Sequence, residues 1–321
     1  MTRVLVTGIT GQDGGYLAEQ LVAEGCTVHG LVHAGDPHGP ALEARSPSVV
    51  LHPGDLTDSD ALTRVVALVE PDEVYNLAGV SSVARSWSEP VLTADVTALG
   101  VARLLAVVME QQSKTGRQIR FVQASSAEIF GDATQVPQDE ATTLRPTSPY
   151  GVSKLFAHQL VGLYRQQGLH AVSAILYNHE SPRRPLSFVT RKITSTVARI
   201  AQGLEQELVL GNVEARRDWG WAPDYVDAMV RAARAPDADD YVIATGEAHS
   251  VEQFALAAFA RAGVEPRIRV DPSLVRPGDP ALLVGNAAKA WDVLGWAPTV
   301  GFEELVGRMV DADLAGNGTA T

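Results

Sequence analysis

Short apolar runs alternate with stretches of helical spacing through the first half of the chain. The apolar runs are Val4 to Val6, Thr27 to Val32, Val49 to Leu51, Glu73 to Leu77, Gln118 to Gln123 and Ala171 to Leu176. Between them, Tyr16 to Ala23, Asp60 to Val69, Val91 to Glu110 and Ser153 to Gln166 repeat their apolar positions at the helical period. Runs of three to six residues separated by such stretches predict a parallel sheet covered by helices on both faces. After about residue 178 the order breaks into mixed helix and loop, with one further strand-like run, Asp240 to Ala244. The predicted fold class is therefore α/β, a doubly wound parallel (Rossmann-like) sheet with a second, smaller mixed α/β lobe. We expect residues 1–178 to form the first unit, its sheet completed by about 222–247. Residues 179–221 and 248–321 are expected to form the smaller lobe.

Composition narrows the function. The 321 residues carry 26 basic and 38 acidic side chains, a formal charge of −12, which argues against a partner that is nucleic acid or an anionic membrane. A single cysteine, Cys26, excludes an internal disulfide and a thiolate metal site, so no metal is expected and a reducing, cytoplasmic location is. No apolar run is read as approaching the roughly 20 residues of a membrane span, and Met1-Thr2-Arg3-Val4 leads into a strand without a signal-peptide pattern.

Three local patterns carry chemistry. Gly8-Ile9-Thr10-Gly11-Gln12-Asp13-Gly14 follows the first strand and opens the first helix. Glycines there permit a tight turn and close approach of a pyrophosphate to a helix N-terminus, so this segment predicts a dinucleotide site. Ser148-Pro149-Tyr150 reads as a helix start, with Ser148 as cap and Pro149 in the first turn, and Lys154 four residues on shares a face with Tyr150. An ammonium and a helix N-terminus near a phenol both favour the phenolate, a base able to take a proton from a sugar hydroxyl. The run Phe121 to Gly131 ends an apolar strand in Ser125-Ser126-Ala127-Glu128. If the extended conformation persists, Ser126 and Glu128 share a side. Hydride transfer alone needs no carboxylate, whereas removing a proton alpha to a ketone does.

At these residues the chain resembles the extended short-chain dehydrogenase/reductase family, and within it the GDP-mannose 4,6-dehydratases. The narrower signals are Asn178-His179-Glu180-Ser181-Pro182-Arg183-Arg184 and Arg217-Asp218-Trp219-Gly220; Phe188 to Ile193 and Ala244 to Glu247 are similar too. The resemblance implies catalytic roles for Ser126, Glu128, Tyr150 and Lys154. It implies that Gly8, Thr10, Gly11, Gln12, Asp13 and Gly14 contact the cofactor. Further cofactor contacts are implied at Asp55, Leu56, Leu77, Ala78 and His179, with Tyr150 and Lys154, while His33 and Asp36, after the second strand, are expected to meet the adenosine ribose. Substrate contacts are implied at Ser81, Asn178, Glu180, Val189, Arg191, Lys192, Arg217, Arg276 and Asp279, with Arg191 and Arg217 on the diphosphate. The implied reaction oxidises carbon 4 of a nucleotide-linked hexose, eliminates water across carbons 5 and 6, and returns the hydride to carbon 6. The implied partner is a nucleotide sugar, GDP-mannose, and a homodimer or homotetramer is expected.

The chain departs from the family in four places. Ser126 stands where the family carries threonine, and Asp279 where it commonly has glutamate. His33-Ala34-Gly35-Asp36 replaces the arginine pair that grips the 2′-phosphate of NADP. The resemblance thus implies NADP, while Asp36 is suited to a ribose hydroxyl and NAD. The loop from Pro37 to Ser48 differs from the one through which the family builds tetramers. Two other readings share parts of this pattern: a nucleotide-sugar epimerase or 4-keto reductase, which has no need of Glu128, and a catalytically idle dinucleotide-binding sensor.

Overall fold

The computed structural model describes residues 1–275 and 280–316. Seven parallel strands form its larger sheet: β1 (Arg3–Thr7), β2 (Thr27–Val32), β3 (Val50–Pro53), β4 (Glu73–Asn76), β5 (Arg120–Ala124), β6 (His170–Leu176) and β10 (Asp240–Ile243), numbered by chain order. Their spatial order is β10-β6-β5-β4-β1-β2-β3, so the winding direction reverses between β1 and β4. The carboxyl ends of strands at such a reversal leave a crevice for ligands.

Alternation along each strand divides the core. Val4, Val6, Tyr75 and Val122 face α1 (Gln12–Ala23), α2 (Gly39–Arg45) and α9 (Ala222–Arg234). Leu5, Val74 and Phe121 face α3 (Ser59–Val69), α6 (Gly100–Thr115) and α7 (Pro149–Gln166). Each face is covered because every second residue on these strands is large and apolar. The start of α7 follows its sequence signal: the Ser148 hydroxyl accepts from the Gly151 amide at 3.0 Å, with Pro149 in the first turn.

Beyond residue 178 the chain forms more strands than its apolar pattern predicts. β7 (Asn178–Glu180) and β13 (Leu282–Leu283) run parallel to β9 (Arg216–Trp221), and β11 (Ala248–Ser250) runs antiparallel to it. β8 (Leu208–Leu210) pairs with β12 (Ile268–Val270). A third core lies under α8 (Val189–Ala201), α10 (Val251–Ala262) and α12 (Phe302–Gly316), where Trp219, Phe254, Phe259, Leu305 and Met309 are buried together.

One reading needs correcting. α4 (Val83–Ser88) is followed by α5 (Pro90–Ala94), which continues through a π-helical turn, Asp95–Leu99, into α6. The resulting helix Pro90–Thr115 is long and apolar enough to cross a membrane. Half of its most apolar window is buried in the protein, because Leu104, Leu105 and Val108 pack against the sheet and α3. Alanine, threonine and glycine interrupt the apolar residues and hid this run from a count of consecutive positions.

Candidate active site

A cleft of about 690 Å³ opens at the carboxyl ends of the central strands and continues between the two groups of elements. Its floor begins at the glycine turn. Gly8 has φ +67°, and a Cβ there would lie 2.7 Å from the Ala78 amide nitrogen, so the turn and the β4 end can approach only through glycine. Helix α1 is preceded by the N-cap Gly11, which offers no side-chain cap, so its first-turn amides are left for another acceptor, and Asp13 of that turn lines the cleft. Thr10 donates from Oγ1 to Asp36 Oδ2 at 2.8 Å, tying the turn to the end of β2. Asp55 lies 3.0 Å from His33 Nδ1, whereas the Leu56 side chain is buried beneath Gly100 in the core. Leu77 lines the cleft, and the Ala78 amide donates to Thr7 Oγ1. These groups fit a dinucleotide: amides for its phosphates, and Asp36 for a ribose hydroxyl.

Ser126, Glu128, Tyr150 and Lys154 line one stretch of this cleft. The route differs from simple alternation. β5 ends at Ala124, and Ala127–Ile129 forms a 3₁₀ turn capped by the Ser126 hydroxyl, which accepts from the Glu128 amide at 3.3 Å. A tight turn, rather than an extended strand, therefore brings both side chains to the cleft, while Ala127 turns inward and is buried. Lys154 is buried and donates from Nζ to the Ala124 carbonyl at 2.7 Å, its Nζ 5.7 Å from the Tyr150 ring centroid. Ser126 hydrogen-bonds the Tyr150 phenol.

The expected phenolate does not form in the free site. Burial, reinforced by the charge of Glu128, pushes the Tyr150 phenol up to about 12 against the pull of the Ser126 hydrogen bond. Burial also brings the Lys154 ammonium down to about 8, opposed by the charge of Asp13. Desolvation acts against both charged forms and is the largest cause of each shift.

The opposite wall carries Asn178, Glu180, Val189, Lys192 and Arg217, and Ser81 lies near the β4 end. Glu180 is buried and accepts from Thr190 Oγ1 at 2.7 Å. Arg217 donates to the Pro280 carbonyl at 2.7 Å. Asp218, next to it, is fully buried and accepts from the amides of Thr245, Gly246 and Gly285, fixing β9 in place. Arg191, expected on the diphosphate, does not line the cleft: its guanidinium is paired with Asp313 and donates to the Pro182 carbonyl. Arg183 likewise faces α1, stacked 3.9 Å over Tyr16 and paired with Glu19. Arg276 and Asp279 lie outside the described residues.

Motif reading missed two groups. Ser125 lines the cleft with a buried hydroxyl that has no hydrogen-bond partner among the described residues. Arg184 lines it too, stacked 3.7 Å over Phe188 with Nε 3.3 Å from Glu180. It belongs to a set of basic residues in this part of the chain, Arg183, Arg184, Arg191, Lys192, Arg216, Arg217 and Arg276, that suits phosphate contacts as a group, and nothing in the sequence shows that, of Arg183, Arg184 and Arg191, it is the one lining the cleft.

Residues 5–309 match the family model for GDP-mannose 4,6 dehydratase. The chain belongs to the GDP-mannose 4,6-dehydratase family. It is 46% identical to GDP-mannose 4,6 dehydratase 1 of Arabidopsis thaliana, covering 97% of this chain and 89% of that one. It is 41% identical to GDP-mannose 4,6-dehydratase of Vibrio cholerae, covering 97% and 94% respectively. In structure it resembles Thermus thermophilus UDP-glucose 4-epimerase in complex with NAD, with a TM-score of 0.84, 28% identity, and coverage of 97% and 99%. A family member is thus recognised by full-length sequence, whereas the fold is shared with epimerases. The cofactor of the GDP-mannose 4,6-dehydratase family is a nicotinamide dinucleotide.

Proposed function

We propose that this chain is a hydro-lyase that converts GDP-mannose to GDP-4-keto-6-deoxymannose. The observation that carries this reading is the meeting of Glu128 with Ser126, Tyr150 and Lys154 in one cleft, with Lys192 and Arg217 on its far wall. In this reading residues 1–178 with 222–247 hold the dinucleotide, and 179–221 with 248–321 hold the nucleotide sugar. Lys192, Arg184 and Arg217 supply local positive charge that the chain as a whole lacks.

When bound, the nicotinamide takes hydride from sugar carbon 4 and returns it at carbon 6, and its oxidised form adds a positive charge that favours the phenolate. Tyr150 takes the proton of the 4-hydroxyl, and Ser126, already bonded to the phenol, orients that oxygen. The resulting 4-ketone acidifies the carbon-5 proton, which Glu128 removes and passes to the departing 6-hydroxyl so that it leaves as water, and the proton held by Tyr150 goes to carbon 5 as hydride returns to carbon 6, restoring both side chains. An epimerase on the same fold has no such step, so Glu128 separates the two activities.

Asp36 supports NAD over NADP, because Thr10 and the His38 amide fix its carboxylate beside the glycine turn, where a 2′-phosphate would meet its charge. The exposed apolar side chains Val91 and Leu92 on α5, and Val152, Phe156 and Leu163 on α7, support a homodimer through these helices. The decisive test is to incubate pure protein with GDP-mannose and trace NAD or NADP, alongside UDP-glucose. A 4-keto-6-deoxy product from GDP-mannose, without net reduction of cofactor, is expected. Cofactor-neutral inversion at carbon 4 with no loss of water would overturn the assignment.

A further inference from the structure

Asp13 presents a problem for the proposed reading. It stands in the first turn of α1, on the cleft floor, at the helix end that reading assigns to a pyrophosphate. A carboxylate there repels the anion that the helix N-terminus attracts. His179 of β7 answers it. Its Nε2 lies 2.9 Å from Asp13 Oδ2, and its Nδ1 lies 2.7 Å from the Tyr177 carbonyl. A carboxylate and a carbonyl only accept, so both contacts are hydrogen bonds only if both ring nitrogens carry protons. Gln12 fixes the pair by donating to Asp13 Oδ1 and to the His179 carbonyl, and Ser181 donates in turn to Gln12.

We propose that His179 is a positioning residue held as an imidazolium, so that Asp13 and His179 form a net-neutral clamp on the glycine turn that admits the cofactor's diphosphate. The proposal rests on the dinucleotide reading above. Burial works against the imidazolium, but the charge and hydrogen bond of Asp13 raise His179 above the ordinary histidine range. Burial also works against the carboxylate, and His179 with Gln12 holds Asp13 below its ordinary range. The other charged or titratable groups facing the pair are Arg184, which opposes the imidazolium and supports the carboxylate, Glu180 beside His179 on β7, Tyr225 of α9, stacked 4.7 Å from the imidazole, and Lys154 and Tyr150 of α7, which feel Asp13.

The sign follows. The protonated form binds, so cofactor affinity is full below the raised folded pKa of His179 and is lost as pH rises through it. The test measures NAD dissociation by calorimetry from about pH 6 to about pH 9.5, together with the imidazole nitrogen resonances of His179. Wild-type affinity is expected to fall by up to about tenfold per pH unit as the imidazole titrates. His179→Asn leaves one uncompensated carboxylate and binds weakly at every pH; adding Asp13→Asn restores affinity and removes the pH dependence. A flat wild-type profile, a singly protonated ring at about pH 6, or failure of Asp13→Asn to rescue would overturn the clamp. So would a pH dependence that survives in the double variant, since Lys154 would then be its source. If wild type binds no dinucleotide at any pH, the reading on which the clamp rests fails first. The wild-type series and resonances stand even if a variant fails to fold.

Discussion

Gly14 and Gly15 are adjacent in the first turns of α1 and respond to alanine in opposite ways. A Cβ on Gly14 would lie 2.3 Å from the Gly8 carbonyl oxygen and 2.5 Å from Ile9 Cα, both backbone atoms of the turn beneath. Restoring ordinary contact requires α1 to lift by about 1 Å, and overpacking of this kind costs about 1–3 kcal/mol. The gain in helix propensity returns less than about 1 kcal/mol, so Gly14→Ala should destabilise by about 2 kcal/mol and move the first-turn amides away from any phosphate. At Gly15 the nearest atoms are the ends of Arg183 and Arg45, at 3.4 and 3.8 Å, which can swing aside. Gly15→Ala should be neutral or stabilise by about 0.5 kcal/mol. Urea unfolding and NAD calorimetry on both variants provide the assay. Equal stability and equal affinity in Gly14→Ala would refute the argument that the helix and the turn touch only through glycine.

Glu128→Gln should slow dehydration by about 10²–10⁴-fold while carbon-4 hydrogen exchange survives, and Tyr150→Phe should remove both; isotope exchange with labelled GDP-mannose separates the two. At contact distance each charge pair costs about 1 kcal/mol even in water, so NAD should bind roughly tenfold or more better than NADP, and Asp36→Ala should narrow that ratio. His29 Nδ1 lies 2.9 Å from His52 Nε2, a bond that needs one neutral acceptor nitrogen; burial lowers both imidazoles, and for His29 the charges of His52 and Arg3 add to it. The stability they contribute is present above the unfolded histidine pKa and is lost as pH falls through their folded values; His52→Gln should flatten the acid limb of a melting-temperature profile. Phe156→Glu with Val152→Glu should shift the sedimentation of the protein to that of a single chain without loss of fold; an unchanged oligomer would place the interface elsewhere.

The central strands of the large sheet were legible because they are buried on both faces and read as apolar runs, whereas β3, at the edge, is largely exposed and was marked only by Val49 to Leu51. The short strands around β9 were not. Arg216–Trp221 is three charged residues followed by two tryptophans around a glycine, and β7 is three polar or charged residues, so their pairing is a tertiary fact with no local signal. Glycine turn, Tyr150 and Lys154 could be placed because their spacing fixes their geometry within one element. Glu128 reached the cleft by a 3₁₀ turn, which two-residue spacing cannot reveal. Arg191 failed as a phosphate ligand for a related reason: helix α8 turns it toward Asp313, a partner 122 residues away.

Strand β7 has only three residues, yet Asn178 and Glu180 line the sugar side of the cleft while His179 is bonded to the glycine turn. It is stitched along its whole length to β9, which carries Arg217. On the proposed reading, any movement of β9 that frees a product pulls on the glycine turn as well. An enzyme that lends a hydride and takes it back within one cycle gains from keeping its cofactor between turnovers. On the proposed reading, the three residues of β7 couple release of the product to the hold on the cofactor.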